Sequence, residues 1–296
     1  MKVPELPEVE TIVLDLKNAS PKILGEKFLD VWTDFPRMVK KPKSFEEFKK
    51  EIRGKKIEKI WRRGKNIVFD LSEGKSLLVH QKLTGHLLYG KWKREKGKWV
   101  SSIKGPLSED PMNRFLHLIF FLENGWQLAL SDLRKFAKVE LLPKDLLKAE
   151  LEKLGPEPLS KDFTFERFKE AVLKRKKGKI KAVLMDQTVI AGIGNIYSDE
   201  ALWRAKIHPL KPVEKISEEG LKRIYQAIRK ILPKAIELGG ESFSDFRRLN
   251  GEKGKSEEII KVYRKEGKPC PICREKIKRI KLGGRSAYFC PSCQKP

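Results

Sequence analysis

All four cysteines of the chain lie within its last 27 residues, as two Cys-x2-Cys pairs with sixteen residues between them. Two such pairs supply four thiolates at the spacing of a tetrahedral zinc site. A disulfide framework is not expected in a chain of this size without a secretion signal, and two unrelated Cys-x2-Cys motifs are the alternative. Four protein ligands leave zinc no open coordination position, so the pattern predicts one structural zinc ion. Its predicted ligands are Cys270, Cys273, Cys290 and Cys293.

The segment between the two cysteine pairs is strongly basic and contains Gly283-Gly284. Zinc bound at both ends of this segment would hold it as a small β-hairpin, with Arg285 at the expected tip. The sequence therefore predicts a finger that grips a nucleic-acid backbone and presents Arg285 to a groove or a site. The cations of the segment are Arg274, Lys276, Lys278, Arg279, Lys281 and Arg285.

The 296-residue chain has a formal charge of +25, and no polybasic tail concentrates that charge. A balance this basic favours a polyanionic partner, with nucleic acid as the first candidate and an anionic membrane surface as the second. The sequence holds no apolar run long enough to cross a bilayer and no signal-peptide pattern. We therefore expect a soluble cytoplasmic protein that binds nucleic acid through a folded, basic surface and makes no membrane contact.

Hydrophobic patterning divides the chain into a β-rich half and a helical half. Apolar residues recur at helical spacing over 7–17, and short apolar runs then alternate with tight turns as far as Pro143. Short strands without long intervening helices are typical of an antiparallel sandwich or barrel, and the pattern after Pro143 is helical. The predicted fold is a multidomain α and β protein. We expect an N-terminal helix and antiparallel β-sandwich over 1–143, an α domain over 144–250, a mobile lid or linker over 251–268 and a zinc finger over 269–296.

Several further motifs suit a nucleic-acid site, although each has an ordinary structural alternative. Pro4-Glu5 precedes the first helix and is otherwise a plain helix entry. Lys65 lies between two strand segments and is otherwise part of a solvated turn. The glycine-containing turn 192–194 leaves backbone N–H groups at a helix start, which suits a phosphate. Leu83 and Phe136 stand beside polar residues on loops, so they are either wedges for a base stack or core residues.

Taken together and in this order, the motifs resemble those of the formamidopyrimidine-DNA glycosylase family of bifunctional base-excision repair enzymes. The resemblance extends over essentially the whole chain, and the opening motif and the four-cysteine finger are its most specific parts. The family's fold combines an N-terminal β-sandwich, a helix–two-turn–helix domain and a C-terminal zinc finger, which agrees with the predicted elements. The matching segments are residues 4–11, Arg63-x-Lys65, residues 154–159, residues 192–197, the cysteine finger and Gln294-Lys295.

The resemblance implies a mechanism that starts from Pro4 as an amino-terminal residue. An α-amine with a pKa of ~8 is partly neutral at pH 7, so it can attack C1′ of a damaged nucleotide flipped out of the duplex. The oxidised purine leaves, a Schiff base forms, and elimination cuts the strand on both sides of the lesion. Glu5 would be the acid/base partner, Lys65 would act in β-elimination and Arg285 in δ-elimination. The resemblance assigns DNA contacts to Arg134, Lys176 and Asn195, and it assigns the filling of the vacated base position to Leu83, Arg134 and Phe136.

The chain departs from the family pattern in three places. Met1-Lys2-Val3 precede Pro4, whose nitrogen is then a tertiary amide. We expect translation to start at Val3, since GTG encodes methionine when it is a start codon, and removal of that methionine would expose Pro4. Leu83 replaces the usual methionine, a substitution that conserves volume. The segment 254–256 replaces an aromatic pair in a base-contacting lid, which loosens any assignment of 8-oxoguanine specificity.

Three alternatives stand beside the active oxidised-purine glycosylase. A chain that keeps Met1-Lys2-Val3 would be a catalytically silent homologue that binds damaged DNA, because Pro4 would be acylated. A sibling branch removes oxidised pyrimidines, although the Leu-Pro-Glu-Val sequence at 6–9 favours the purine branch. A basic zinc-ribbon protein of transcription or ribosome assembly belongs to a different class. The favoured partner is double-stranded DNA with oxidised bases, bound by a monomer.

Overall fold

The computed structural model describes residues 4–242 and 245–296, which form two compact units. We call residues 4–151 with 239–255 the sandwich unit, and residues 152–238 with 256–296 the helix–finger unit. Met1-Lys2-Val3, and with them the expectation about the start of translation, lie outside the described residues.

Helices and strands follow the predicted order, a β-rich part, then a helical part and a final hairpin. Within the two described ranges, we find no helix with the length and apolarity that crossing a membrane requires. The helices are α1 (Leu6–Lys17), α2 (Phe45–Ile52), α3 (Pro106–Glu109), α4 (Lys144–Glu152), α5 (Phe165–Leu173), α6 (Ile180–Met185), α7 (Asn195–Ala205) and α8 (Glu218–Glu237). The strands are β1 (Phe28–Thr33), β2 (Val39–Lys41), β3 (Ile57–Arg63), β4 (Asn66–Leu71), β5 (Lys75–His80), β6 (Gly85–Gly90), β7 (Trp92–Glu95), β8 (Lys98–Ser101), β9 (Leu116–Leu122), β10 (Gln127–Asp132), β11 (Lys138–Pro143), β12 (Lys278–Leu282) and β13 (Arg285–Phe289).

Helix α1 forms because its sequence supplies both a start signal and an apolar face. Pro7 lies in the first turn, where its missing N–H costs nothing, and Glu8 lies at the positive end of the helix dipole. The apolar face packs on β3 and β4. Each fully buried aliphatic side chain contributes about 1.5–3 kcal/mol relative to an exposed one, so this face alone supplies several kcal/mol. The residues that α1 buries in the core include Val9, Ile12, Val13 and Leu16.

Two sheets share one hydrophobic core and form the sandwich. The first has strand order β1-β9-β10-β6 and is antiparallel throughout. The second has order β2-β11-β5-β4-β3, and its β2–β11 pair is parallel. This pair departs from the predicted antiparallel arrangement. The three-residue edge strand β2 is far from β11 in sequence, so no hairpin turn sets its direction.

The hairpin β7–β8 between β6 and β9 was not predicted. The two strands pair from Trp92 with Ser101 to Glu95 with Lys98. Three of the four residues of β7 are charged, and β8 has only four residues, so the sequence shows neither the alternation nor the apolar run that indicates a strand.

In the helix–finger unit, a buried ion pair holds the finger hairpin against α7. Lys181 and Asp199 lie 2.7 Å apart, and both side chains are fully buried. Asp199 also accepts the N–H of Tyr288 at 3.0 Å, and Lys181 donates to the carbonyl of Ser286 at 2.7 Å. Strand β13 is therefore anchored on α6 and α7 in addition to the cysteine pair that follows it.

The segment expected to be a mobile lid or linker contains some local structure in its second half. Residues 256–259 form a short 3-10 helix, and the Ser256 hydroxyl donates to the Ala235 carbonyl at 2.7 Å. Glu200 Oε1 accepts the backbone N–H groups of residues 261–263 at 2.8–3.0 Å. The mobility of 251–268 remains a prediction.

Candidate active site and nucleic-acid interface

Pro4 and Glu5 lie at the start of α1, where the helix cap holds them. Glu5 is the N-cap residue and is only 2 % exposed. It forms a reciprocal capping box with Glu8, in which Glu8 Oε2 accepts the N–H of Glu5 at 2.8 Å and the Glu5 carboxylate accepts the N–H of Glu8. The position of the carboxylate next to Pro4 is therefore set by a helix N-terminus.

Glu8 also ties the start of α1 to the segment 239–255. Its Oε1 accepts the N–H of Glu241 at 2.9 Å, and its side chain is buried. The neighbouring Gly240 has a φ of +76°, and a Cβ at that position would lie 3.1 Å from Glu8 Cγ. Glycine is required there both by the left-handed backbone and by the close approach of Glu8.

Lys65 lies in the β3–β4 turn, which an ion pair fastens to α1. Gly64 has a φ of +58°, as a tight hairpin turn requires, and Lys65 is mostly buried. Arg62 of β3 pairs with Glu10 of α1 at 2.5 Å and donates to the Gly64 carbonyl at 2.9 Å. The lysine and the first turns of α1 thus belong to one packed part of the sandwich unit.

His80, at the end of β5, lies close to these cations and remains neutral. Burial, and then the positive charges of Lys82 and Lys65, lower the pKa of His80 to about 3. Its Nδ1 accepts the N–H of Lys82 at 3.0 Å. A neutral imidazole adds no like charge beside Lys65.

One buried carboxylate joins the two loops that carry the predicted wedge residues. Asp132 accepts the Thr84 hydroxyl and the N–H of Ala137, the latter at 2.7 Å. The N–H of Arg134 lies 3.2 Å from Asp132 Oδ1 and 3.1 Å from Thr84 Oγ1. Because Leu83 directly precedes Thr84, this network brings the β5–β6 loop and the β10–β11 loop to the same edge of the sandwich.

Phe136 and Arg134 form an exposed pair on the β10–β11 loop. The guanidinium carbon of Arg134 lies 4.7 Å from the centroid of the Phe136 ring, and Phe136 is 49 % exposed. The alternative that Phe136 is a core residue does not fit this exposure. An exposed phenyl ring beside a cation suits contact with a base stack and its backbone.

The turn between α6 and α7 has the geometry of a phosphate site at a helix start. Gln187 holds the turn, since its Oε1 accepts the N–H of Gly192 at 2.9 Å and its Nε2 donates to the carbonyl of Ile193 at 2.7 Å. Asn195 is the first residue of α7, and its Oδ1 is buried without a hydrogen-bond partner among the described residues. Lys176 is exposed in the turn between α5 and α6. Backbone N–H groups and a cation of this kind suit an anion.

The four cysteine sulfurs fit a tetrahedral zinc site. They lie within 4.8 Å of one another, and Cys273 Sγ is 3.4 Å from the sulfurs of both Cys290 and Cys293. Zinc–sulfur bonds of about 2.3 Å place tetrahedral sulfurs about 3.8 Å apart, which this cluster matches. Trp203 Nε1 donates to Cys270 Sγ at 3.4 Å, so the cluster also contacts α7.

Arg285 lies at the tip of the finger hairpin, as the two preceding glycines predicted. Gly283 and Gly284 have φ values of +52° and +73°, which form the tight turn between β12 and β13. Arg285 pairs with Leu282 across the turn and is exposed. Arg285, Lys176 and Asn195 belong to the helix–finger unit, and the sandwich unit contains Pro4, Glu5, Lys65, Leu83, Arg134 and Phe136.

Three family models match the chain in the order of its predicted domains. The formamidopyrimidine-DNA glycosylase N-terminal domain matches residues 3–139, and the formamidopyrimidine-DNA glycosylase H2TH domain matches residues 154–247. The zinc finger found in FPG and IleRS matches residues 267–296. The chain belongs to the formamidopyrimidine-DNA glycosylase family. The predicted fold is confirmed, and so is the four-cysteine site for one structural zinc.

Full-length relatives support this assignment to the formamidopyrimidine-DNA glycosylase family. A formamidopyrimidine-DNA glycosylase of Pelotomaculum thermopropionicum is 42 % identical over 295 residues, which is 99 % of each chain. A Lactococcus lactis FPG mutant in complex with Fapy-dG-containing DNA is 38 % identical, with a TM-score of 0.84 over 99 % of this chain and 100 % of that one. MutM in complex with DNA containing carbocyclic 8-oxo-G is 37 % identical, with the same TM-score and coverage.

Sequence reasoning missed three polar residues that shape the candidate site. The bond of Glu8 to Glu241 spans 233 positions, which no local pattern indicates. Asp132 opens a loop, and a short acidic residue at a loop start is a recognisable signal for backbone capping. Gln81 precedes the wedge loop and is buried, and neither polar atom of its amide has a hydrogen-bond partner in the described part of the chain.

Proposed function

We propose that this protein is a bifunctional DNA glycosylase and AP lyase that removes oxidised purines, of the formamidopyrimidine and 8-oxoguanine type, from double-stranded DNA. Full-length membership of the formamidopyrimidine-DNA glycosylase family carries the proposal. The solved relatives bound to Fapy-dG-containing and carbocyclic 8-oxo-G-containing DNA support the same class of lesion. The proposal places the enzyme in the cytoplasm with the DNA that it repairs.

Catalysis in this proposal begins at the nitrogen of Pro4. Its lone pair attacks C1′ of the flipped nucleotide, the bond from C1′ to the base breaks, and the base leaves with a proton. The C1′–nitrogen bond becomes a Schiff base as the sugar ring opens. Glu5, whose position the helix cap sets, is the acid/base partner for the sugar. Lys65 donates a proton or holds a phosphate during β-elimination, and Arg285 assists δ-elimination.

The attack requires the Pro4 nitrogen to be a secondary amine. We therefore propose that the active form begins at Pro4, and that the form with Met1-Lys2-Val3 attached binds lesion DNA without cutting it. Comparing the two forms distinguishes the repair enzyme from the silent DNA-binding homologue. The Pro4 nitrogen is an amine that can attack the sugar in the first form, and an amide that cannot in the second.

DNA contacts in the proposal come from both units. Leu83, Arg134 and Phe136 fill the position that the flipped base leaves, since Asp132 already holds their loops together. Asn195 and Lys176 contact phosphates near the start of α7. The zinc finger supplies backbone contacts and positions Arg285.

The proposal is tested by incubating the form that begins at Pro4 with a panel of duplexes. Each duplex carries formamidopyrimidine, 8-oxoguanine or an oxidised pyrimidine at one position. We expect excision of the two purine lesions and strand ends with phosphate on both sides of the gap. Preferential excision of the pyrimidine lesions would assign the chain to the sibling activity instead, and binding without any excision would leave only the silent homologue.

A further inference from the structure

The β7–β8 hairpin concentrates positive charge outside the candidate site. The stretch 91–98 holds five cations and one acid, Glu95, which pairs with Lys93 at 2.7 Å. The remaining cations of the stretch form no ion pair with any described residue. Like charges so close together repel one another, so the hairpin is stabilised when an anion lies against it. The cations, all exposed, are Lys91, Lys93, Arg94, Lys96 and Lys98.

The hairpin is fastened to the sandwich and is not a loose basic loop. The N–H of Trp92 donates to Gln127 Oε1 at 2.5 Å, and Gln127 Nε2 donates to the Trp92 carbonyl at 3.1 Å. Trp99 packs edge-on against Trp32 with ring centroids 5.3 Å apart and lies 5.9 Å from the ring of Phe121. Two tryptophans thus cover a small apolar cluster and hold the charged residues of the hairpin in a defined position.

The tip of the hairpin reaches the edge of the sandwich that carries the wedge loops. Gly97 and Lys98 border a cavity of about 640 Å³ together with Asp34 and His117, which lies next to the first residue of β9. The first residues of β9 pair with the last residues of β10, and the β10–β11 loop begins there. Asp34 lies 2.8 Å from His117 Nδ1 and 3.8 Å from the Nζ of Lys135, which stands between Arg134 and Phe136 in that loop.

We infer that the β7–β8 hairpin is an additional contact surface for the phosphate backbone of duplex DNA, beside the lesion rather than at it. This inference rests on the proposed function, which brings DNA to the wedge loops. The tip also uses Lys96 in a left-handed conformation with a φ of +48°, where glycine or asparagine is usual. The strained backbone at Lys96 therefore places an exposed positive charge at the tip of the hairpin.

The test compares two variants with equal loss of charge. The hairpin variant combines Arg94→Gln, Lys96→Asn and Lys98→Gln, which keeps both tryptophans and the Lys93–Glu95 pair. The control variant combines Lys43→Gln, Lys50→Gln and Lys56→Gln, three exposed lysines of the same unit that form no ion pair among the described residues. Thermal unfolding of both variants first checks that the fold is kept. Duplex affinity is then measured as a function of salt concentration.

We expect the hairpin variant to lose about tenfold in duplex affinity, and the slope of log K against log salt to fall by about 2–3, since each lost phosphate contact contributes about 0.9. The control should change the slope by less than 1. Trimming the duplex on one side of the lesion should abolish the difference between the variants, and cleavage at saturating DNA should stay unchanged. Equal slopes for the two variants would overturn the inference. Failure of the proposed function appears separately, as absence of excision at saturating lesion DNA by the protein that begins at Pro4 and carries no hairpin substitution.

Discussion

Two buried carboxylates, Glu8 and Asp132, each accept hydrogen bonds from two segments of the chain. Glu8 accepts the N–H groups of Glu5 and Glu241. Asp132 accepts two N–H groups of the β10–β11 loop and the Thr84 hydroxyl of the β5–β6 loop. An ionised carboxylate only accepts hydrogen bonds, so it can satisfy several N–H groups at once, whereas an amide presents N–H groups of its own. Glu8 fixes the start of α1, and Asp132 fixes the wedge loops. Single residues therefore position the parts of the site that meet DNA in the proposed function.

Replacement of Asp132 by asparagine tests this role. The new NH₂ group faces a backbone N–H, which leaves a buried donor without an acceptor and costs about 2–3 kcal/mol. We expect a loss of that size in the free energy of unfolding, together with weaker binding to lesion duplex. Asp34→Asn is the control, because Asp34 is partly exposed and lies at the same edge. An Asp132→Asn protein as stable as the control would contradict the assigned role.

His86 makes stability depend on pH. Burial lowers its pKa to about 4, while the hydrogen bond of its Nε2 with Asn113 Oδ1, 3.1 Å away, opposes the shift. The backbone of Thr84 also opposes the shift, and burial outweighs both hydrogen bonds. The unfolded chain takes up a proton below its ordinary pKa of 6.5, and the folded chain does not. The contribution of His86 to the free energy of unfolding is therefore complete above pH 6.5 and is lost as the pH falls towards 4.

The predicted loss at pH 5 is about 2 kcal/mol relative to pH 7.5. Urea unfolding of the unaltered protein and of His86→Gln at both pH values measures it. The variant should show a pH dependence shallower by about that amount, whatever its absolute stability. An unchanged pH dependence would show that His86 is not responsible.

At the scale of secondary-structure elements, local signals predicted most of the fold. Helical spacing of apolar residues predicted α1, and the glycine pair 283–284 predicted the tip of the finger hairpin. The hairpin β7–β8 escaped prediction because anchorage by Trp92 and Trp99, rather than apolar alternation, holds it in place. The sequence could not predict whether β2 runs parallel or antiparallel to β11, because no hairpin turn connects these two strands.

The finger hairpin depends on zinc for its order, and Trp203 reports on that dependence. Its Nε1 donates to Cys270 Sγ, so removal of the metal changes the surroundings of this indole. We expect one zinc per chain, and a change in tryptophan emission on chelation that disappears in Trp203→Phe. Duplex binding and strand cleavage should fall together, because the hairpin carries Arg285. Unchanged emission and unchanged affinity after complete zinc removal would contradict a structural role for the metal.

At the scale of the whole molecule, the charge of +25 predicted a polyanionic partner, and family membership supports DNA as that partner. The motifs and their order along the chain predicted the family, because each motif indicates a separate chemical role and the family combines these roles in the same order. Contacts such as that between Glu8 and Glu241 could not be predicted, since they depend on how distant segments fold together. The predicted roles of Pro4, Glu5, Lys65 and Arg285 rest on the resemblance, because a catalytic role depends on reaction chemistry that no packing pattern encodes.

The most direct test of the central claim is borohydride trapping on a duplex with one 8-oxoguanine. The two proteins to compare are the form that begins at Pro4 and the form that retains Met1-Lys2-Val3. We predict a covalent adduct with the first form, mapped by mass spectrometry to Pro4, and no adduct with the second. Equal trapping of both forms, or an adduct on a lysine in place of Pro4, would contradict the account.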